Sequence, residues 1–280
     1  MIVVTGATGN IGRPLVAELA RRGHDVTAVS RAGLAPLDHR LVRGVRADLA
    51  EPEGLHAAVD GADALFLLVP GSGGHLDTER IIGIAAEAGV RRIVLLSSLG
   101  AVTRAGSASH APLAELEKRV QGSGLEWTLL RPADFASNAL AWVPTIRSER
   151  AVHAPFGDVA LPAVDPLDIA EVAAAALVDT GHGGRSYVLT GPAALSPRER
   201  TGVLAEVLGV PIAFVEQTRD EARADMVAYM PEPVVEGTLG ILGEPTPQEQ
   251  QISLDIENVL GRPAHTFADW ARRNMGSFTV

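Results

Sequence analysis

Three glycines at spacing three, Gly6, Gly9 and Gly12, are the residues whose type and position point most directly to chemistry. They sit in Thr5-Gly6-Ala7-Thr8-Gly9-Asn10-Ile11-Gly12, after the apolar run Met1–Thr5 and before a segment with Ile11, Leu15, Val16 and Leu19 at helical spacing. A strand, a tight glycine turn and an amphipathic helix make the arrangement that holds a dinucleotide pyrophosphate on a helix N-terminus. Gly6 can take the backbone angles of the sharp turn. Gly9 has no side chain to keep the pyrophosphate away from the helix N–H groups, and Gly12 lets the helix lie close on the sheet. The turn, with Thr8, Asn10 and Ile11, is therefore expected to bind a cofactor.

The second strand, Asp25–Ser30, ends in Ser30-Arg31 rather than in an acidic residue. A carboxylate there would hydrogen-bond a free ribose 2′-OH, whereas a guanidinium can clamp a 2′-phosphate bidentately. NADP(H) is thus expected over NAD(H). Replacing Arg31 with alanine should weaken NADPH much more than NADH in parallel binding titrations, and equal losses would contradict this reading. At the end of a fifth strand stand Ser97 and Ser98, whose hydroxyls can hydrogen-bond a carbonyl and stabilise a developing alkoxide; a strand-end turn with one serine capping backbone is the alternative.

The elements that must position these groups alternate without a break. Strands are expected at Leu41–Arg46, Ala64–Val69, Arg92–Ser97 and Trp127–Arg131, with helices around Leu55 and Val59 and over Thr78–Ala88. Apolar strands without period-two alternation, separated by helices, predict a parallel sheet covered on both faces, an α/β doubly wound fold of Rossmann type. Ligands bind such sheets at the carboxyl ends of the strands. That directs attention to the Gly6–Gly12 turn, Arg31, Asp48-Leu49, Pro70–His75 and Ser97–Gly100.

Composition bounds the function. The 280 residues carry 24 Lys+Arg against 34 Asp+Glu, a net charge of −10 that argues against a general nucleic-acid binder. The absence of cysteine excludes disulfides, thiolate nucleophiles and Cys-ligated zinc. The eight histidines form no metal-ligand spacing, so no metal site is expected. No run of eighteen apolar residues predicts a membrane span and no basic leader precedes the first strand, so a cytoplasmic protein is expected. A G-x-S-x-G elbow in a strand-turn-helix setting is missing, which argues against a hydrolase. A single lysine, Lys118, beside many arginines reads as the habit of a high-GC genome.

The opening T-G-A-T-G-N-I-G, the R-A-D-L segment, R-I-V-L-L-S-S-L-G-A and S-G-L-E-W-T-L-L-R-P resemble the atypical short-chain dehydrogenase/reductase group, and within it the NmrA-like proteins. The resemblance covers about residues 1–180 closely and the remainder loosely. It implies that Gly6, Gly9 and Gly12 with Asn10 and Ile11 wrap the pyrophosphate and that Arg31 takes the 2′-phosphate. Asp48 and Leu49 would border the adenine, and Leu68, Val69 and Pro70 the ribose and nicotinamide side. Pro132 and Phe135 would approach nicotinamide and substrate. The group includes quinone, ketone and ether reductases as well as regulators that bind NADP without turning it over.

The better-known reductases of that superfamily use Tyr-x-x-x-Lys, and this chain cannot supply it. Four residues after Tyr187 and Tyr229 stand Gly191 and Pro233, and four before Lys118 stands Ala114. In related folds the pair lies on the helix after the fifth strand, where the slots fall near Ser109/His110 and Leu113/Ala114. His110 is the plausible proton donor there, since an imidazole with a pKa of about 6.5 suits proton transfer near neutrality. The alternative is that His110 opens a helix capped by Ser109. His75 is expected to begin a helix, Asp168 to N-cap the helix Ile169–Val178, and Glu115 and Glu117 to lie on a solvated helix face.

Residues 1–134 are expected to form the NADP(H)-binding core and 135–280 a small α+β substrate lobe returning some strands to the core sheet. The lobe should hold a helix over Ala139–Ile146, strands at Val159–Val164, Tyr187–Thr190 and Val210–Val215, and a helix from the Ser196 cap to Leu208. Two helices should follow Thr218 and Pro231, then others over Pro247–Leu260 and His265–Arg273. Phe135, Asn138 and Trp142, with Phe156, Met226, Tyr229 and Met230, are candidates to line an apolar pocket. The expectation is a monomeric or homodimeric NADPH-dependent reductase of a hydrophobic, aromatic or polycyclic carbonyl or quinone, of natural-product ketoreductase type. The alternative is a non-catalytic NADP(H)-sensing regulator.

Overall fold

The computed structural model describes residues 1–32 and 40–279. Along the chain these form β1 (Ile2–Val4), α1 (Gly12–Arg21), β2 (Val26–Ser30), β3 (Val42–Arg46), α2 (His56–Val59), β4 (Ala64–Leu67), α3 (Thr78–Glu87), β5 (Arg92–Leu96), α4 (Gly100–Thr103), α5 (Ala111–Gln121) and β6 (Glu126–Pro132). Then come β7 (Asp134–Phe135), α6 (Val143–Glu149), β8 (Ala151–Pro155), β9 (Leu161–Val164), α7 (Pro166–Val178), β10 (Arg185–Leu189) and β11 (Ala194–Leu195). The last elements are α8 (Pro197–Leu208), β12 (Ala213–Gln217), α9 (Arg219–Met226), α10 (Glu232–Gly243), α11 (Asp255–Leu260), α12 (Phe267–Arg273) and α13 (Met275–Phe278).

Residues 1–106, 110–132 and 166–188 make one compact unit. Its seven-stranded sheet has the order β10-β6-β5-β4-β1-β2-β3, and the pairings from β6 across to β3 are parallel. β1, β4 and, after Arg92, β5 are apolar because helices cover both faces. Leu65, Leu67, Ile93 and Leu95 pack on one face with Ile81 and Ile84 of α3 and with Leu116 and Val120 of α5. α7 packs on α1. Its buried run Ala173–Ala176 has side chains short enough for close approach. Arg92 caps the C-terminal end of α7, donating from Nη1 to the carbonyls of Ala176, Leu177 and Asp179 at 2.9–3.3 Å. The strand order reverses between β1 and β4, so the crevice for a ligand opens at their carboxyl ends.

Residues 107–109, 133–165 and 189–280 form the second unit. It holds a three-stranded sheet, β11-β9-β7, a two-stranded one, β12-β8, and the helices α6 and α8–α13. In its core Trp270 stacks on Phe267 at 5.4 Å between centroids and meets Phe278 edge-on at 6.1 Å. α9 and α10 close over a smaller cluster of Ala222, Val235 and Leu239, against which Phe156, Met226 and Met230 lie.

Several local expectations are corrected. The helix expected over Ala139–Ile146 is a 3-10 segment, Ala136–Trp142, followed by α6, because Pro144 enters α6 in its first turn and sets the break one residue before Val143. β8 was not anticipated, since Ala-Val-His-Ala-Pro is short and ends in proline; it is held by its parallel partner β12. Asp168 does not N-cap. α7 begins at Pro166, which places Asp168 inside the first turn and fully buried. The helix expected over Pro247–Leu260 is confined to α11, Asp255–Leu260.

Candidate active site

The turn after β1 is built around steric contacts that only glycine permits. Gly6 has φ +63°, in the left-handed region. A Cβ on Gly12 would stand 2.2 Å from the Gly6 carbonyl oxygen and 2.8 Å from the Ala7 Cα, so α1 approaches the turn more closely than any side chain allows. A Cβ on Gly9 would crowd the same oxygen at 3.3 Å. Thr5 ties the turn to the neighbouring strand: its hydroxyl accepts from the Leu68 N–H at 2.8 Å and lies 3.1 and 3.0 Å from the carbonyls of Phe66 and Leu68. Thr8, Gly9 and Asn10 are exposed, while Ile11 is buried as the anchor of the helix start. α1 has no side-chain cap and no acidic residue in its first turn, which leaves its positive end suited to an anion.

At the end of β2 the Ser30 hydroxyl is buried without a hydrogen-bond partner among the described residues, and the exposed Arg31 follows it. Ser30 is in register with Arg46, which ends β3 and is also exposed. A buried orphan hydroxyl flanked by two strand-end arginines fits a phosphate oxygen. Asp48 folds its carboxylate back onto the Ala50 N–H at 3.0 Å, and Leu49 is part of the core, 7% exposed. After β4, Leu68 lies against Gly6, Val69 is buried, and Pro70 accepts from the Gly73 N–H at 3.2 Å. The residues present thus fit an NADP(H) cradle at each strand end.

The two serines after β5 have different environments. Ser97 is buried and donates its hydroxyl proton to Glu117 Oε1 at 2.5 Å. Glu117 is itself buried, contrary to the solvated face expected for it, because Arg131 of β6 clamps it bidentately, Nε to Oε1 at 3.0 Å and Nη2 to Oε2 at 2.7 Å. Ser97 is therefore committed to a network joining β5, α5 and β6, and its proton is not offered to a ligand. Ser98 is half-buried and accepts from the Gly100 N–H at 3.1 Å, an arrangement in which its own O–H remains able to donate.

His110 is the N-cap residue of α5, and its side chain makes no capping hydrogen bond. A Cβ on Gly100 would lie 2.3 Å from both Cδ2 and Nε2 of His110, so the imidazole rests directly on the backbone two residues beyond Ser98. Pro112, two residues further on, lies where a Cβ on Gly74 would meet it at 3.1 Å, which brings the loop after β4 to the same place. Pro132 closes this group, its carbonyl accepting from Leu99 N–H at 2.9 Å. His75 is exposed. The signal for Glu117 is its place beside Leu113, Leu116 and Val120, which puts it on the buried face of α5.

The second unit contains a cavity of about 470 Å³. Asn138 and Trp142 line it, as do Met226, Tyr229 and Met230; Phe135 and Phe156 do not. Phe156 instead packs against the α9–α10 cluster and covers Gly243, and Phe135 is tied into β7 beside Val164 of β9. Within the wall, Asp134 accepts from Arg200 Nη1 at 2.5 Å and from Asn138 Nδ2 at 2.7 Å. Partial desolvation, with the charge of Asp225, pushes the phenol of the largely exposed Tyr229 above its ordinary pKa.

A family model described as NAD(P)H-binding matches residues 6–180. The chain is 38% identical, over 99% of both chains, to the (4-alkanoyl-5-oxo-2,5-dihydrofuran-3-yl)methyl phosphate reductase of Streptomyces griseus. It is 32% identical, again over 99% of both, to the NAD(P)H azoreductase of Xenophilus azovorans. The NADPH complex of an NADPH-dependent quinone oxidoreductase from Escherichia coli shares the fold, with a TM-score of 0.80 at 24% identity over 98% of this chain and 100% of that one. The two full-length relatives are named as reductases, which does not favour the regulatory alternative, although the transcriptional regulator NmrA shares the fold too. Among the described residues no helix is long and apolar enough to cross a membrane. The chain belongs to the NAD(P)H-binding family, with NmrA-like atypical short-chain dehydrogenase/reductases as its structural neighbours, and it is an NAD(P)H-dependent oxidoreductase.

Proposed function

We propose that the chain reduces the carbonyl of a hydrophobic aromatic or polycyclic ketone or quinone with NADPH, using Ser98 and His110 in place of a tyrosine–lysine pair. The observation that carries this reading is the His110 ring lying on Gly100, which brings an imidazole to the strand end that bears Ser98. The turn Gly6–Gly12 would hold the pyrophosphate with Thr8, Asn10 and Ile11. Arg31, with Ser30 and Arg46 beside it, would take the 2′-phosphate. Asp48 and Leu49 would border the adenine, and Leu68, Val69, Pro70 and Pro132 the nicotinamide side.

NADPH, when bound, supplies a hydride to the carbonyl carbon. Ser98 donates a hydrogen bond to the carbonyl oxygen and stabilises the charge that develops there. His110 delivers the proton, a task to which an imidazole is suited. Asn138 and Trp142 line the cavity assigned to the substrate, and its volume suits a fused-ring molecule. Phe135 does not line it. The full-length similarity to a dihydrofuranyl-methyl phosphate reductase and an NAD(P)H azoreductase supports the reductase reading.

Purified Ser98→Ala and His110→Ala proteins should each lose about a hundredfold in kcat while keeping NADPH affinity within about twofold. Steady-state kinetics with parallel NADPH titrations checks this. Wild-type kcat in both variants would remove Ser98 and His110 from the chemistry.

A further inference from the structure

The polar groups around the cavity of the second unit define what charge its ligand can carry. Four lining side chains are ionisable at neutral pH: Asp134, His153, Arg200 and Asp225. Arg200, the permanent cation among them, is engaged at all three nitrogens. Its Nη1 binds Asp134, its Nη2 donates to the Leu161 carbonyl at 2.8 Å and its Nε to the Leu195 carbonyl at 3.1 Å, and only 8% of the side chain is exposed. Asp134 and Arg200 therefore cancel. His153 turns its Nε2 inward, 3.4 Å from Glu149 on α6. Asp225 accepts from Gln217 Nε2 at 2.7 Å and from no cation, because Arg219 and Arg223 on the same helix bind Glu232 and Glu236 of α10.

Two neutral groups add acceptors. Asn138 commits one N–H to Asp134 and Gln217 one N–H to Asp225, and each amide carbonyl oxygen is left to accept. Between these acceptors stand Trp142, Met226 and Met230, an apolar and partly deformable wall suited to a ring system. An anion entering here would be desolvated beside the Asp225 carboxylate, with the Arg200 charge already paired to Asp134, whereas a hydroxyl or N–H on a ring would find acceptors.

We infer that this cavity selects an uncharged aromatic carbonyl compound bearing hydroxyl or N–H donors and rejects phosphorylated, sulfonated or carboxylated analogues. The inference rests on the cavity being the substrate site of the reductase proposed above. It also sets this chain apart from its Streptomyces relative, whose name specifies a phosphate ester.

Calorimetric titration of the NADP⁺-loaded protein with 1,4-naphthoquinone, its 6-hydroxy derivative and its 2-sulfonate tests the charge rule without turnover; the chain has no cysteine for a quinone to alkylate. The hydroxy compound should bind about tenfold more tightly than the sulfonate, with the parent quinone between them. Asp225→Asn should raise sulfonate affinity about fivefold and leave the parent unchanged. Sulfonate binding as tight as that of the hydroxy compound, or a ratio indifferent to Asp225→Asn, would overturn the inference. The expected ranking without NADPH oxidation would uphold the charge rule and overturn the reductase reading instead.

Discussion

Glu117→Leu is expected to destabilise the protein by about 3–5 kcal/mol, because it leaves the Arg131 guanidinium largely buried without a counter-charge. The Ser97 hydroxyl loses its acceptor in the same step. In a thermal melt this corresponds to a fall of roughly 10 °C in Tm. Glu117→Gln keeps an oxygen for Ser97 and for one arginine donor, and should cost about 1–2 kcal/mol. The double variant Glu117→Leu/Arg131→Met removes both charges and should recover most of the stability, since apolar groups can replace a buried pair at little cost. A double variant as unstable as Glu117→Leu alone would show that the ion pair is not the source of the effect.

Gly12→Ala should abolish measurable NADPH binding. The new methyl would overlap the Gly6 carbonyl oxygen at 2.2 Å, and both atoms belong to backbone, so no side chain can swing aside to relieve the contact. The turn must open, which costs about 3 kcal/mol of stability and moves the helix N–H groups away from any pyrophosphate. A loss of at least about a hundredfold in affinity, near 2.7 kcal/mol, is expected in a fluorescence titration. Gly23→Ala provides the comparison: its Cβ meets nothing within 4 Å and its φ of +86° strains only a surface turn, so cofactor affinity should stay unchanged. Equal cofactor affinity in wild type and Gly12→Ala would contradict the cradle.

The nucleotide half was legible because its signals are local. A strand, the glycine turn and the helical face of Ile11, Leu15, Val16 and Leu19 lie within twenty residues, and the apolar runs of β4 and β5 can only be strands buried on both faces. What escaped was set by tertiary partners. Glu117 looks like any helix-surface glutamate until Arg131, fourteen residues on, is brought beneath it by β6. Ser97 and Ser98 are indistinguishable as letters, yet one turns into that network and the other remains beside Gly100. The glycine at position 100 makes sense only once the His110 ring is seen to occupy the space of its missing Cβ. In the second unit, β8 depends on pairing with β12, some sixty residues later, and its own five residues carry no pattern that would announce it. Of the large side chains expected in the pocket, Phe156 was diverted by a positive φ of 55° toward Gly243, a conformation no composition argument could foresee.

The central claim is that this fold uses NADPH to reduce a carbonyl. It is tested most directly by following the 340-nm absorbance of NADPH (about 340 nm being the nicotinamide band) with purified protein and a panel of aromatic ketones and quinones, NADH being run alongside. The account predicts turnover above the uncatalysed rate on at least one panel member, with NADPH preferred over NADH and the preference lost in Arg31→Ala. Tight NADPH binding with no oxidation by any member would contradict it and restore the regulatory reading.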